Sequence, residues 1–208
     1  MRIISGTAKG RKLAAVPGST TRPITDRVKS ALFSILGGDV AGSTWLDLFA
    51  GTGSVGMEAL SRGASSVIFV DRVRKAIETM RRNLDHIGLL ERAELVHDDA
   101  FRFLKRAEPD LSFDYIYVAP PQYQDLWAKV LQMLDERPML NEDGLIIVQI
   151  HPKEFHELHI PHLESVDERR YGSTVLLFYA LKNDAAGSAG DATTEEPDGT
   201  ADKTDEGV

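Results

Sequence analysis

A glycine-rich turn and two carboxylates have the spacing of a nucleoside-binding site. Asp47 lies in the apolar stretch STWLDLFA (43–50), which runs directly into Gly51-Thr52-Gly53-Ser54-Val55-Gly56. Glycines allow a tight turn and let a ligand approach the backbone, and a following helix offers free amides. Asp71 ends the next apolar stretch, twenty residues after Gly51, where its carboxylate could accept hydrogen bonds from both hydroxyls of a ribose.

The glycine turn also satisfies the GxGxxG pattern of dinucleotide sites, so other residues must decide between cofactors. Asp47 stands four residues before Gly51, where it could meet the ammonium of a methionine group. A dinucleotide offers no cation at that place. A helical segment also precedes the first strand, whereas dinucleotide domains commonly start with that strand. These features favour S-adenosylmethionine over NAD.

The elements that must position these residues alternate along the chain. Residues 25–36, TDRVKSALFSIL, have apolar residues at helical spacing, with Thr25 as N-cap. Predicted strands follow at 43–50, 66–71, 93–99, 114–121 and 144–151, with helices after the glycine turn and near 74–88, 100–107 and 124–136, and a closing hairpin that ends in 174–182. This alternation predicts an α/β fold with a doubly wound, mostly parallel sheet and an antiparallel C-terminal strand. Ligands of such sheets bind at the carboxyl ends of the strands.

Composition excludes several classes of protein. The chain has no cysteine, which excludes disulfides, thiolate metal sites and cysteine nucleophiles. Four histidines in 151–162 are interrupted by Pro152 and Pro161, and no metal site is predicted. No window approaches the ~18 apolar residues of a membrane span, and MRIISGTAKGRKL lacks the apolar core of a signal peptide. We therefore expect a cytoplasmic protein, and a monomer is sufficient.

Charge is distributed unevenly along the chain. Residues 183–208 contain eight acids and one lysine, so they account for −7 of the net charge of −8. The first thirty residues contain seven bases and one acid. We predict a basic N-terminal arm (1–24) with a nucleic-acid role, a catalytic domain (25–182) and a disordered acidic tail (183–208).

Three strings, MRIISGTAKGRKL, RPITDRVKSALF and DLFAGTGSVGMEALSRGA, closely resemble the bacterial small-subunit (16S) ribosomal RNA guanine-N2 methyltransferases. The resemblance covers about residues 1–182. It implies a class I methyltransferase with a Rossmann-like sheet and S-adenosylmethionine as its cofactor. It also implies that the substrate is small-subunit ribosomal RNA within a ribosomal particle and that the target is a guanine N2 amino group.

The resemblance assigns cofactor-binding roles along three strand ends. By motif, the loop around the methionine part comprises Asp47, Phe49, Gly51, Thr52 and Gly53, the ribose end comprises Asp71 and Arg72, and the adenine end comprises Asp99 and Ala100, or Asp98 if the alignment shifts by one. Asp98 and Asp99 also fit a helix N-cap pair.

The fourth strand carries the catalytic motif, with a departure from the pattern. Related amino-methylating enzymes end this strand with Asp, Asn or Ser, then Pro-Pro and an aromatic residue. Here the string is Ala119-Pro120-Pro121-Gln122-Tyr123, so the side-chain acceptor is missing. One hypothesis is that the Ala119 or Pro120 carbonyl and the Gln122 amide accept the amino hydrogens while Tyr123 stacks on the base. The alternatives are a target other than an amino-purine, or binding without catalysis.

Basic residues near the beginning of the chain are predicted to contact RNA. The resemblance places RPITDR over the cofactor cleft, with Arg22 and Arg27 reaching phosphates and Thr25 or Asp26 capping the helix. Nonspecific phosphate contacts are expected from Lys9, Arg11 and Lys12. A flipped base needs a stacking partner, for which Tyr123 and Phe33 are candidates, although Phe33 also fits the core.

Overall fold

The structure, a computed structural model, describes residues 1–18 and 24–182. Helices and strands alternate in it as the sequence predicts. The helices are α1 (Asp26–Leu36), α2 (Ser54–Ser61), α3 (Arg74–Ile87), α4 (Ala100–Arg106) and α5 (Leu126–Glu136). The strands are β1 (Thr44–Leu48), β2 (Ser66–Asp71), β3 (Ala93–His97), β4 (Phe113–Val118), β5 (Leu140–Ile150), β6 (Leu163–Tyr171) and β7 (Thr174–Leu181). Among the described residues, no helix is both long and apolar enough to cross a bilayer.

The strands form one sheet in the order β3-β2-β1-β4-β5-β7-β6. Strands β1 to β5 are parallel, and β7 runs antiparallel to both of its neighbours. The predicted fold is confirmed. The chain moves outward from β1 to β3 and then returns to β4, so the direction of winding reverses between β1 and β4. Ligands of doubly wound sheets bind at that reversal, and both strands there carry a motif.

Two apolar cores cover the two faces of the sheet. Helices α1, α2 and α3 pack on one face around Trp45, and α4 and α5 pack on the other around Trp127. Both tryptophans are fully buried, as expected of core anchors. The Phe33 ring is also buried and stacks on Trp45 with 5.6 Å between centroids, so Phe33 belongs to the core and is not available to a base.

The first fourteen residues pack against helices α2 and α3. Ile3 is fully buried, and residues near it pair with the returning chain through a bridge between Arg2 and Lys12. The Ala8 amide donates to Ser61 Oγ (3.0 Å) at the end of α2. A Cβ at Gly6, where φ is +80°, would lie 1.8 Å from the Ser61 carbonyl oxygen, so only glycine fits this contact.

Lys29 is a buried partner of Glu58 and not part of the basic surface suggested by the charge count. Its Nζ donates to the Arg2 carbonyl (2.8 Å) and lies 3.4 Å from Glu58 Oε2. The Glu58 carboxylate also accepts from the Ile4 and Ser5 amides at 2.7 and 2.9 Å. Burial lowers the pKa of Lys29, and the charge of Glu58 opposes that shift. This cluster joins α1, α2 and the first residues of the chain.

Several element boundaries differ from the prediction by a few residues. Helix α5 begins at Leu126 and not at 124, because Asp125 has a φ of +52° and cannot continue a right-handed helix. Strand β3 ends at His97, because Asp98 and Asp99 turn into α4. Strand β5 begins at Leu140, four residues earlier than predicted. Its pairing with β4 shifts register between Phe113 and Tyr115, and Gly144 lies in the part of β5 opposite that shift.

Candidate active site

The turn after β1 depends on glycines for two different physical reasons. Gly51 and Gly53 have φ values of +56° and +71°, and the Gly53 amide closes the turn on the Ala50 carbonyl at 2.7 Å. Gly56 has ordinary backbone angles, but a Cβ there would lie 2.4 Å from Phe69 Cε1. The first two glycines therefore set the path of the chain, and Gly56 lets α2 approach β2 closely.

Asp47 is a buried carboxylate whose Oδ2 accepts a hydrogen bond from the Gly56 amide (3.2 Å). The pKa of Asp47 is raised from 3.8 to about 8, chiefly by burial; the Gly56 bond opposes this shift and the charge of Asp71 adds to it. A buried carboxylate of this kind is stabilised in its charged form by a cation. The ammonium of S-adenosylmethionine is such a cation, so this residue fits the predicted cofactor.

Asp71 lies against the glycine turn, as the spacing predicts. Its Oδ2 accepts from the Gly51 amide at 2.7 Å, and its Oδ1 accepts from the Val73 amide at 2.8 Å. Each carboxylate oxygen can accept a second hydrogen bond, so both retain capacity for ribose hydroxyls. The neighbouring Arg72 has an exposed side chain, and its carbonyl lies 3.1 Å from His97 Nε2.

Asp99 caps α4, whereas Asp98 is held by arginines. Asp99 Oδ1 accepts from the Phe101 and Arg102 amides at 3.0 and 3.2 Å. Asp98 is almost buried and forms ion pairs with Arg102 and Arg106. The capping explanation therefore applies to Asp99, which leaves its second oxygen for an adenine amino group. Ala100 is buried in the first turn of α4, and the adenine role of these residues stays a prediction.

The motif after β4 leaves the sheet beside the glycine turn, because Val118 pairs with Leu48 of β1. Ala119 and Pro121 are half-buried, Pro120 is buried and Gln122 is exposed. Tyr123 has a φ of +61° and 67% exposure, and its ring centroid lies 5.7 Å from that of His151. An exposed aromatic ring therefore stands at the end of the motif, as base stacking would require.

Glu154 holds this turn in place. The Tyr123 amide donates to Glu154 Oε2 at 2.6 Å, and the other carboxylate oxygen accepts from the His151 amide at 3.1 Å. Close by, Asp125 Oδ1 lies 2.8 Å from His156 Nε2. The chain after β5 thus supports the turn after β4. Sequence reasoning missed Glu154, and the only signal was an acid two residues after Pro152, where capping glutamates stand.

Tyr117 and Gln149 form a second pair that the sequence did not reveal. The Tyr117 hydroxyl donates to Gln149 Oε1 at 2.7 Å. Burial, reinforced by the charge of Asp47, raises the pKa of Tyr117 well above its ordinary value, so the phenol stays protonated. The residues belong to adjacent strands, and no local pattern could have paired them.

The residues predicted to contact RNA lie in different parts of the molecule. Thr25 caps α1 by accepting from the Val28 amide (3.3 Å), Arg27 is exposed, and Arg22 lies outside the described residues. Lys12 is exposed on the bridge to Arg2. These positions remain predictions for phosphate contact.

Lys9 and Arg11 lie away from the cofactor edge. The chain around Lys9 packs on the last residue of α2, about 12 Å along the helix from the glycine turn at 1.5 Å per residue. The Arg11 guanidinium donates to the His86 carbonyl (2.6 Å) near the end of α3. Arg11 thus has a structural contact in addition to its predicted one.

An open groove of about 480 Å³ lies between α4 and α5, lined in part by Phe101, Lys105, Leu126 and Lys129. It is on the opposite face of the sheet from Asp47, so it does not coincide with the predicted cofactor site. We assign the site from the motifs and their geometry.

No three histidine, aspartate or glutamate side chains within residues 1–18 and 24–182 are grouped as a metal would need. Two of the four clustered histidines instead pair with acids: His156 with Asp125, and His162 with Asp135 at 3.3 Å. The hydrogen bond that His156 donates to Asp125 raises the pKa of His156.

Comparison with known proteins identifies the family. Residues 1–180 match the family described as "Conserved hypothetical protein 95". The chain belongs to this family. This membership supports an S-adenosylmethionine-dependent methyltransferase, and the predicted class I fold is confirmed.

Individual relatives agree with the family match. A Bacillus subtilis protein, YlbH, provisionally named an rRNA methyltransferase, is 45% identical over 150 residues, which are 72% of this chain and 82% of that protein. "Ribosomal RNA small subunit methyltransferase D" of Haemophilus influenzae is 35% identical over 150 residues, 72% of this chain and 78% of the relative. The structure of Escherichia coli yhhF, provisionally named a methyltransferase, superimposes with a TM-score of 0.77 at 28% identity, covering 88% of this chain and 98% of the other.

Proposed function

We propose that this chain transfers the methyl group of S-adenosylmethionine to the exocyclic N2 amino group of a guanine in small-subunit ribosomal RNA. The observation that carries the proposal is the extent of the family match, which includes the N-terminal segment as well as the cofactor motifs. The name of the Haemophilus influenzae relative supports small-subunit ribosomal RNA as the substrate. We further propose that the protein acts as a cytoplasmic monomer on a ribosomal particle.

The residues of the glycine turn are proposed to bind and orient the cofactor. Asp47 would pair with the methionine ammonium, and Asp71 would accept the ribose hydroxyls. S-adenosylmethionine supplies an electrophilic methyl group when bound. Because Leu48 and Val118 are paired neighbours, this arrangement would place the methyl group beside the diproline motif.

The target amine is a poor nucleophile, because its lone pair is delocalised into the guanine ring. A carbonyl that accepts one amino hydrogen draws the nitrogen toward a tetrahedral geometry, and this role is proposed for the Pro120 carbonyl. Stacking on Tyr123 would hold the flipped base. Positioning nitrogen and methyl in line can contribute roughly 7–11 kcal/mol to lowering the barrier.

Contacts with phosphates would come from exposed side chains near the N-terminal bridge and the start of α1. Thr25 and Arg27 lie at the start of α1, and Lys12 lies on the N-terminal bridge. Arg22, Lys9 and Arg11 complete the proposed set. Binding that depends on several phosphate contacts weakens steeply as salt is raised.

The proposal is tested with small ribosomal subunits from cells that lack this protein. The purified full chain is incubated with methyl-labelled cofactor, and the nucleosides of the digested RNA are analysed by mass spectrometry. We expect label in N2-methylguanosine. Label in another nucleoside would refute the assignment. So would the absence of label in subunits that a homologous enzyme from another bacterium does methylate.

The diproline motif is tested with the double variant Pro120→Ala, Gln122→Ala. We expect it to lose methyl transfer while its affinity for S-adenosylhomocysteine stays within about threefold of wild type, since neither residue is assigned to the cofactor. Unchanged turnover would show that the reaction needs neither the rigid ring of Pro120 nor the side chain of Gln122.

One observation favours a second candidate, a noncatalytic RNA-binding assembly factor. Ala119 replaces the polar side chain found in related amino-methylating enzymes. A factor of this kind would bind cofactor and subunits with the same affinities but leave no label in the RNA.

A further inference from the structure

The place of Ala119 in the sheet shows which side chain stands next to it. Side chains alternate along a strand, so Ala119 faces the same side as Tyr117, two residues earlier. On the adjacent strand, Val148 pairs with Val118, and extending this register by one residue sets Ala119 opposite Gln149. Neighbouring strands are about 4.8 Å apart. The position without an acceptor is therefore beside a glutamine on the same face.

Gln149 has a defined orientation. The Tyr117 hydroxyl donates to its Oε1 at 2.7 Å, which fixes the amide with this oxygen toward Tyr117. A carbonyl oxygen has two lone pairs, so Oε1 can accept one more hydrogen bond. Gln149 is half-buried, whereas Gln122 is exposed and water competes for its amide. Of the two glutamines, Gln149 is the better acceptor for a buried amine.

We propose that Gln149 replaces the missing acceptor: its Oε1 accepts one hydrogen of the target amine, and Tyr117 is the residue that positions it. This inference rests on the proposed function. The amine nitrogen forms a bond to the methyl carbon while the carbon–sulfur bond breaks and its electron pair stays on sulfur. The nitrogen then releases its extra proton to water, because a neutral amide cannot take it.

The main test compares Gln149→Ala with the matched control Gln132→Ala, an exposed glutamine on α5. We expect Gln149→Ala to lower the single-turnover rate at saturating RNA and cofactor by about a hundredfold, the lower range for loss of one preorganised hydrogen-bonding group. Affinities for S-adenosylhomocysteine by calorimetry and for undermethylated subunits by filter binding should stay within about threefold of wild type. Gln132→Ala should match wild type in all three.

A rescue experiment separates a chemical role from a structural one. Ala119→Asn places an amide at the position used by related enzymes. The double variant Gln149→Ala, Ala119→Asn should have a rate at least tenfold higher than that of Gln149→Ala alone. Tyr117→Phe should lower the rate about fivefold, because one neutral hydrogen bond is worth about 1 kcal/mol. A protein that lost activity through misfolding would not regain it from a change at Ala119.

The outcomes distinguish this inference from the function on which it rests. A wild-type protein that leaves no label in guanine refutes the proposed function. A wild-type protein that labels guanine while Gln149→Ala turns over equally fast overturns the role of Gln149. A loss in Gln149→Ala that Ala119→Asn does not restore also overturns it, and so does a rate loss confined to Gln122→Ala.

Discussion

The pKa of Asp47 predicts that cofactor binding depends on pH. A carboxyl with a pKa of about 8 is mostly protonated at pH 7, and pairing with an ammonium requires it to ionise. At pH 7 this ionisation costs about 1.4 kcal/mol, the free energy of one pH unit. Between pH 5.5 and 7.5, the affinity for S-adenosylhomocysteine should therefore rise about tenfold per pH unit.

The variant Asp47→Asn should bind cofactor weakly at every pH and yet be more stable. Because the folded pKa is raised above 3.8, the folded state holds this proton more tightly than the unfolded state does. The stabilisation from this proton is complete below pH 3.8 and is lost as pH rises toward 8. At pH 7 the loss amounts to about 4 kcal/mol, which asparagine avoids, whereas at pH 4 the two proteins should differ little.

Two measurements check this reasoning. Titration calorimetry in two buffers of different ionisation heat should show release of about one proton per cofactor bound at pH 6.5. Urea unfolding at pH 4 and pH 7 gives the stability difference, with Asp39→Asn, an exposed acid beyond α1, as the matched control. An affinity that does not change with pH, without proton release, would refute an ionising Asp47. So would full cofactor affinity in Asp47→Asn.

Three further predictions follow from buried or clustered charges. Lys29→Met removes the buried cation beside Glu58, while Arg62 Nε remains 2.9 Å from Glu58 Oε1. It should lower the free energy of unfolding by about 1.5–3 kcal/mol, the range for one hydrogen bond to a charged group, and a loss below about 0.5 kcal/mol in urea would contradict the ion pair. Because Asp125 raises the pKa of His156, their pairing stabilises the fold below the ordinary histidine pKa, and this stabilisation is lost as pH rises through the raised value. His156→Gln should therefore remove a small pH dependence of the free energy of unfolding, of about 0.2–1 kcal/mol, and identical pH profiles would count against the pair. Glu154→Ala should lower methyl transfer at least tenfold with cofactor affinity unchanged. Hydrogen exchange at the Tyr123 amide should become faster, and unaltered exchange would show that the turn does not need this carboxylate.

Local patterns were sufficient to predict most of the fold. The alternation of apolar strands and amphipathic helices gave the parallel sheet, because each element must bury one face or stripe. Errors occurred at element ends, where a single residue decides. Asp125, in a left-handed conformation, delayed α5, and a register shift lengthened β5 at its beginning.

The contact between Asp71 and the glycine turn was predictable from sequence for a related reason. Gly51, Asp47 and Asp71 sit at strand ends, and strands that are consecutive in a parallel sheet bring their ends together at one edge. The glycines also have conformational requirements that few other residues meet. Motif and spacing therefore predict this local geometry, and the Gly51 amide does donate to Asp71.

The sequence alone determined the class of fold, the cofactor and the unusual alanine after the fourth strand. Only the tertiary structure decided what surrounds that alanine. The pairs Tyr117–Gln149 and Tyr123–Glu154 join residues about thirty positions apart, and Lys29 meets Glu58 across two helices. Such contacts depend on strand register and helix packing, which bring distant parts of the chain together and leave no periodic trace in either part.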